Sequence, residues 1–321
     1  MATSGSIDFS LTRDNIIKMA FQKLGIVGEG ANPSSDQYTE GALQLNAIVK
    51  AWSAALGIPL WTVRYGAIFP QSLTTPHSLT LGAGGGHAST EILHTTLTAD
   101  SAASDTTLTV AAIGSFASAD NIGVELDNGN IDWTTVNGAP SGSTITITAG
   151  VTTAASTGNH VWGYTAKIDR PMRILEAWTR DYTDDTNVLD IPMRVVTPSE
   201  YNEMTNKATE SYPLIICYEP LIDRGVARYW PGFSDGSRII FFRYHRVMED
   251  FDVAGDTPDL PQEWFLPLVY ELALLMAPNY HLPIEERHAL AKEASKWTIR
   301  VASNDYEEGS LFFYPSLHGR R

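Results

Sequence analysis

From Leu11 to Trp61 the apolar residues recur with a helical period. In TRDNIIKMAFQKLG, the residues Ile16, Ile17, Ala20, Phe21 and Leu24 fall on one stripe. Thr12 stands before it as a cap. Gly25 follows as a stop, because a residue without Cβ takes the left-handed conformation that ends a helix without strain. A second stripe, Tyr38, Ala42, Leu45, Ile48, Val49, Trp52 and Leu56, runs to Gly57, and Ser34 with Gln37 has capping-box spacing. Helices this short gain most of their stability from a packed apolar face, so the pair needs a further layer. Leu260 to Ser303 supplies a second helical pair. Pro261 opens LPQEWFLPLVYELALLMA, Pro267 predicts a kink, and Leu290, Ala294, Trp297 and Val301 line one face of the last helix.

After Trp61 the helical period is lost. WTVRYGAIF and HSLTLG read as short strands, and the glycine-rich stretch from Gly82 to Ser89 reads as a hinge. From Ile92 to Thr165 the chain turns to Thr, Ser, Ala and Gly with alternating segments TTLTV, NIGVEL, IDWTTV, STITIT and HVWGYT, the pattern of a small antiparallel sandwich or barrel. Further on, Thr197, Pro198 and Glu200 predict a short capped helix. GVARYW and SRIIFFRYHRV flank PGFSDG, which carries hairpin-turn signals.

These patterns predict an α+β fold: a four-helix bundle formed by the N- and C-terminal helix pairs, with a mixed β-layer and an inserted small antiparallel β-domain. The expected divisions are 1–91 with 166–305 as a discontinuous body, 92–165 as the Thr-rich insert, and 306–321 as an extended docking tail. That tail carries Tyr306, Phe312, Phe313, Tyr314 and Leu317, apolar residues that are poorly suited to water.

Charge narrows the function. The net charge is -15, and between Arg64 and Lys167 there is no Lys or Arg while seven Asp or Glu occur. Gripping nucleic acid by its phosphates depends on cations that displace counterions, so this block is excluded from that role. The longest apolar run is interrupted by Glu271 and is too short to span a bilayer, and the N-terminus has neither a basic nor an apolar signal segment. The single Cys217 lies in the apolar run LIIC and reads as an inert buried thiol.

Candidate chemistry is sparse. GAGGGH lacks the third glycine of a dinucleotide loop, whose place His87 takes, and no helix pattern follows. The run DYTDDTNVLD has Thr186 where a calcium loop needs glycine, and Asp190 comes too early for the bidentate acid. His281 and His288 lack the i, i+4 spacing of a helical zinc pair. No G-x-S-x-G elbow is present. No cofactor, no metal and no catalytic residue is expected.

Four stretches carry a family resemblance: TRDNIIKMAFQKLGIVGEG with Pro33 after it, DRPMRILEA (169–177), RYWPGF (228–233) and LPQEWFLPLVYELALLMAPNY (260–280). In their order and spacing the chain resembles the head-to-tail adaptors of short-tailed bacteriophages, also called tail accessory factors or tail tubular protein A. The resemblance leaves out the Thr-rich block, which looks like an extra module of some members. It implies a virion structural protein of the neck, made in the cytoplasm of the host bacterium. Copies would form a ring, commonly of twelve, between the portal protein and the tail nozzle or hub, and DNA would pass through without specific binding. No membrane partner is implied. The C-terminal segment would reach the portal through Tyr306, Phe312, Phe313, Tyr314 and Leu317.

A conduit should not hold its cargo, so acids are expected on the lumen. The candidates are Asp181, Asp184, Asp185, Asp190, Glu249, Asp250, Asp252 and Asp256. The alternatives are a tail-associated muramidase and a module that anchors a tail fibre or spike through the β-insert.

Overall fold

The structure is a computed structural model that describes residues 5–54, 60–71, 77–82, 84, 86–184, 187–303 and 305. The chain forms two compact units, residues 1–62 with 248–321 and residues 63–247.

The expected fold class is overturned. The protein is mainly β, with fourteen strands against five α-helices among the described residues. A helix bundle with a small β-insert does not describe it. The long helices cover only the two ends of the chain, and the fourteen strands, with the short helix Pro198–Asn202 among them, lie between.

In the first unit, helix α1 (Arg13–Lys23) is capped by the Thr12 hydroxyl, which accepts from the Asn15 amide, and Gly25 follows with φ of 71°. Helix α2 (Ser35–Ser53) begins with the Ser34–Gln37 capping box. Ile16, Ile17, Phe21, Leu45 and Val49 share one core with Leu268, Val269, Leu272 and Met276 of helix α4 (Phe265–Met276). The α3 helix (Pro198–Asn202) belongs to the second unit and has its own capping box, Thr197 with Glu200. Helix α5 (Ile284–Ala302) lies against α4 but buries only Ala294 fully. Pro267 makes no mid-helix kink. It sits in the first turn of α4, where its missing N–H has no helical partner to lose. No helix of the described residues is long and apolar enough to cross a membrane.

The strands follow the chain as β1 (Val63–Ile68), β2 (Ser78–Gly82), β3 (Ala88–Ser89), β4 (Leu93–Thr96), β5 (Thr107–Thr109), β6 (Asn121–Glu125) and β7 (Ile131–Thr135). The others are β8 (Thr144–Thr146), β9 (His160–Tyr164), β10 (Arg173–Asp181), β11 (Leu189–Val196), β12 (Ile215–Pro220), β13 (Arg224–Trp230) and β14 (Arg238–His245). Eight form one sheet in the order β2-β13-β12-β11-β10-β14-β1-β3, in which only β11 and β12 run parallel. Its two edge strands, β2 and β3, are close in sequence, and the sheet curls nearly closed. Gly86, between them, lies so near β2 that a Cβ there would come 2.1 Å from the Thr80 carbonyl oxygen. The glycine-rich stretch is therefore a packed crossing at this point and not a hinge.

PGFSDG does not close a hairpin. Its flanking strands have other neighbours: β13 pairs with β12 and β2, while β14 pairs with β1 and β10. The tight hairpin is β12–β13, turned at Leu221 to Arg224 by a 2.8 Å backbone hydrogen bond.

In the Thr-rich block, β4, β9, β6 and β7 form one antiparallel sheet, and β5 pairs with β8. Backbone bridges Leu97–Val110 and Val136–Ile147 join the two sheets around a core that includes Leu108, Ile122, Val124 and Ile145. Gly163 is required by close approach, since a Cβ there would meet the Phe116 ring at 2.2 Å.

A second aromatic core joins this block to the eight-stranded sheet. Phe69 and Ala67 from β1 and its end, and Ile239 from β14, pack with Ile131, Trp162 and Tyr164. Phe69 stacks on Tyr164 with centroids 5.3 Å apart. The Trp162 indole donates to the Gly236 carbonyl at 2.7 Å, and the Glu125 carboxylate accepts from the amides of Gly236 and His160 at 2.8 and 3.0 Å. Trp133 donates to the Pro70 carbonyl and stacks on His87 at 3.9 Å.

His87 reports on this junction. Burial, helped by the Lys167 charge, lowers its pKa from 6.5 to about 3. Burial also raises the Tyr164 pKa. The phenol therefore stays protonated, and its oxygen shares a hydrogen bond of 2.7 Å with Nδ1 of the neutral imidazole. The unfolded chain takes up this proton near pH 6.5 and the folded chain only near pH 3. Stability from this group is full above pH 6.5 and is lost as pH falls through that window, by at most about 1.4 kcal/mol per pH unit. Replacing His87→Phe should flatten the pH dependence of denaturant-measured stability between those limits. Equal slopes for parent and variant would contradict the assignment.

Candidate functional site

The expected lumen acids do not form one set. Asp181 ends β10 pointing into the fold, with its side chain 10% exposed. Burial alone would raise its pKa, but the hydroxyl and amide of Thr183 and the Arg238 guanidinium hold it below the ordinary value. Arg238 also bonds Asp235 at 2.5 Å and lies 3.9 Å over the Tyr212 ring. Asp181 is therefore part of a buried ion cluster and not a solvated acid. Asp190 makes a two-point bond with Arg180 at 2.6 and 2.7 Å. Asp184 is exposed, and Asp185 lies outside the described residues.

The loop after β14 behaves differently. Glu249, Asp250 and Asp252 are exposed, and Asp250 pairs with Lys50 at 2.7 Å. Asp256 is half-buried and accepts from the amides of Asp252 and Val253, both at 2.7 Å, which closes the turn. The Asp256 carbonyl accepts from the Arg13 amide at the start of α1, and Asn46 exchanges two hydrogen bonds with the Phe251 backbone. These acids are thus presented from a loop fixed to the helices. A pocket of about 270 Å³ lies beside it, lined by Arg13, Tyr38, Asn46, Phe251 and Asp252 among others.

The eight-stranded sheet carries an aromatic strip that the sequence reading did not identify. Register sets Phe241 opposite both Ala67 and Trp178, and Arg243 opposite both Tyr65 and Glu176. Trp178 stacks on Phe241 with centroids 5.6 Å apart and planes 4° from parallel, and Tyr65 meets Trp178 edge-on at 6.2 Å. The Arg180 guanidinium caps Phe241 at 4.4 Å, and Arg243 bonds Glu176 at 3.1 Å. Flat arginine stacked on an aromatic face is favourable even near water. Beside the strip is an open groove of about 680 Å³ lined by Leu175, Trp178, Asp190, Pro192, Met193 and Val195 among others. A signal for the strip was present in the sequence as aromatics in three separate strand segments, but pairing alone puts them together.

Other candidates hold no reactive constellation. Cys217 is fully buried, and burial pushes its thiol pKa up, away from thiolate chemistry. His94 Nε2 and His160 Nδ1 share a hydrogen bond at 2.9 Å within the stack that includes Trp162. Among the described residues no group of three His, Cys, Asp or Glu side chains could hold a metal ion. The portal-docking residues Tyr306, Phe312, Phe313, Tyr314 and Leu317 lie outside the described residues.

No protein-family model matches the chain, and no curated protein matches it.

Proposed function

We propose that the chain is a structural head-to-tail adaptor of a short-tailed phage virion, one subunit of a ring between the portal and the tail nozzle. DNA passes through its bore without specific binding. The observation that carries this is the pairing of the outermost stretches of the family resemblance. Residues 12–33 and 260–280 supply α1 and α4, whose apolar faces close on one core, and Phe21 meets Tyr280 edge-on at 5.3 Å. The two inner stretches, 169–177 and 228–233, supply parts of β10 and β13 and the turn after β13.

Two physical features fit the role. A ring subunit needs two different faces for its neighbours, and obligate contacts typically bury about 2,000 Å² or more. Large apolar side chains stand exposed on the helices: Leu43 on α2, and Ile284 and Ile299 on α5. The second feature is charge. At a Debye length of roughly 8 Å, carboxylates on a wall repel only phosphates that approach closely, so the exposed acids Glu249, Asp250 and Asp252 suit a low-friction sleeve.

Mixed with its portal protein and imaged in negative stain, the full chain should form a ring on the portal. The same chain lacking residues 306–321 should fold but fail to join. A full-length chain that stays apart from the portal would remove the adaptor reading, and normal joining by the truncated chain would remove the role of the tail. In virions carrying Glu249→Lys with Asp252→Lys, DNA should leave more slowly; unchanged ejection kinetics would exclude these acids from the lumen.

A further inference from the structure

The chain holds two Asn-Gly pairs, Asn128-Gly129 between β6 and β7 and Asn137-Gly138 between β7 and β8. Asparagine is one of the chemically labile residues, and a glycine after it removes the main obstacle to its reaction. With no Cβ in the way, the glycine amide nitrogen reaches the side-chain carbonyl carbon of the asparagine. Hydroxide takes the proton from that nitrogen, which then bonds to Cγ, and the side-chain nitrogen leaves as ammonia with a proton from water. Water opens the resulting cyclic imide at one of its two carbonyls. Opening at the side-chain carbonyl gives aspartate. Opening at the main-chain carbonyl gives isoaspartate, whose backbone runs through Cβ. The fold controls the first step, which needs a glycine amide free to lose its proton and an asparagine side chain free to swing over it.

At the first pair neither is free. The Gly129 amide donates to the Leu126 carbonyl at 2.9 Å, and Asn128 Oδ1 accepts from the Asn130 amide at 3.0 Å. The turn is also tied down from outside. The Asp127 carboxylate accepts from the amide and hydroxyl of Ser156 at 2.8 and 2.9 Å and from the Asn159 side chain at 3.0 Å.

The second pair is open. The Asn137 amide donates to the Thr146 carbonyl at 2.8 Å, but beyond it the chain makes its next backbone bond only at Ser141, whose amide donates to the Thr144 carbonyl at 3.1 Å. Among the described residues the Gly138 amide and the Asn137 side chain have no hydrogen-bond partner. Both residues are exposed, Gly138 has φ of 79°, and a Cβ built on it would meet nothing within 4 Å. The same dipeptide therefore stands in two different chemical situations.

We propose that Asn137 is a site of spontaneous deamidation in the folded protein and that the fold shields Asn128 from the same reaction. The product adds one carboxylate to a segment that already carries seven acids and no Lys or Arg. The test incubates the full chain in mildly alkaline buffer and reads the change from amide to acid at each asparagine by peptide mass spectrometry. Asn137 should convert roughly tenfold or more faster than Asn128, where two hydrogen bonds must open before the reaction begins. Enzymatic methylation of the isoaspartate α-carboxylate should label the Asn137 peptide, and in urea the two rates should converge. Asn137→Gln should remove the early acidic shift on isoelectric focusing. Conversion of Asn128 as fast as Asn137 in the folded chain overturns the proposal. Resistance of Asn128 that persists in urea also overturns it, because the difference would then lie in the local sequence. An early acidic shift that survives Asn137→Gln overturns it as well, by placing the reaction elsewhere.

Discussion

The body formed by residues 63–247 depends on one buried aromatic layer. Phe69, Trp162 and Tyr164, with Trp133 against them, fill the space between the Thr-rich strands and the β1–β14 side of the large sheet. Large rings bury much apolar area at small entropic cost, and tilted or offset contacts add to it. Each indole N–H is also satisfied, by Gly236 and by Pro70. The layer admits little change, because a Cβ on Gly236 would come 2.8 Å from the Glu125 side chain, and Glu125 is the group that bonds the Gly236 amide. Strands of the Thr-rich block and of the large sheet, remote in sequence, are thereby fixed against one another.

The helical unit has a different economy. Its core draws on α1, α2 and α4 and on Met248 and Phe251 of the acidic loop. Helix α5 is amphipathic yet only half-covered, with Trp297, Leu290 and Val301 partly exposed and Ala294 alone fully buried. Helices α2 and α5 also carry largely exposed apolar side chains, Leu43, Ile284 and Ile299. A unit built this way is stable through its inner helices and leaves apolar surface uncovered. The acids of the 249–259 loop stand on backbone that is bonded to α1 and α2, so their placement is fixed by the same core.

Local structure was well written in the sequence, and pairing was not. Thr12, Ser34 with Gln37, Thr197 with Glu200 and Gly25 all act at helix ends, because capping depends on residues within one turn. The strand segments of the Thr-rich block fall where alternation puts them. The fold class was misjudged because the strands of the large sheet are recruited across the chain, with β2 and β3 at its two edges and β14 between β10 and β1. PGFSDG carried turn residues without a hairpin, and the hairpin that does form turns on Leu-Ile-Asp, which has no such signal. Asp181 was misplaced for a specific reason. A bulge between Ile174 and Glu176 changes the phase of β10, so that Ala177, Thr179 and Asp181 face the buried side and Arg180 the open one. The aromatic strip was equally hidden, since Tyr65, Trp178 and Phe241 become neighbours only through register.

Native-state amide hydrogen exchange is the most direct measure of whether the aromatic layer makes residues 63–247 a single cooperative body. Slowly exchanging amides of β6 and β9 should open with the same free energy, and the same denaturant dependence, as those of β1 and β14. Opening of β6 and β9 at a clearly lower free energy, with β1 and β14 still protected, would contradict that account.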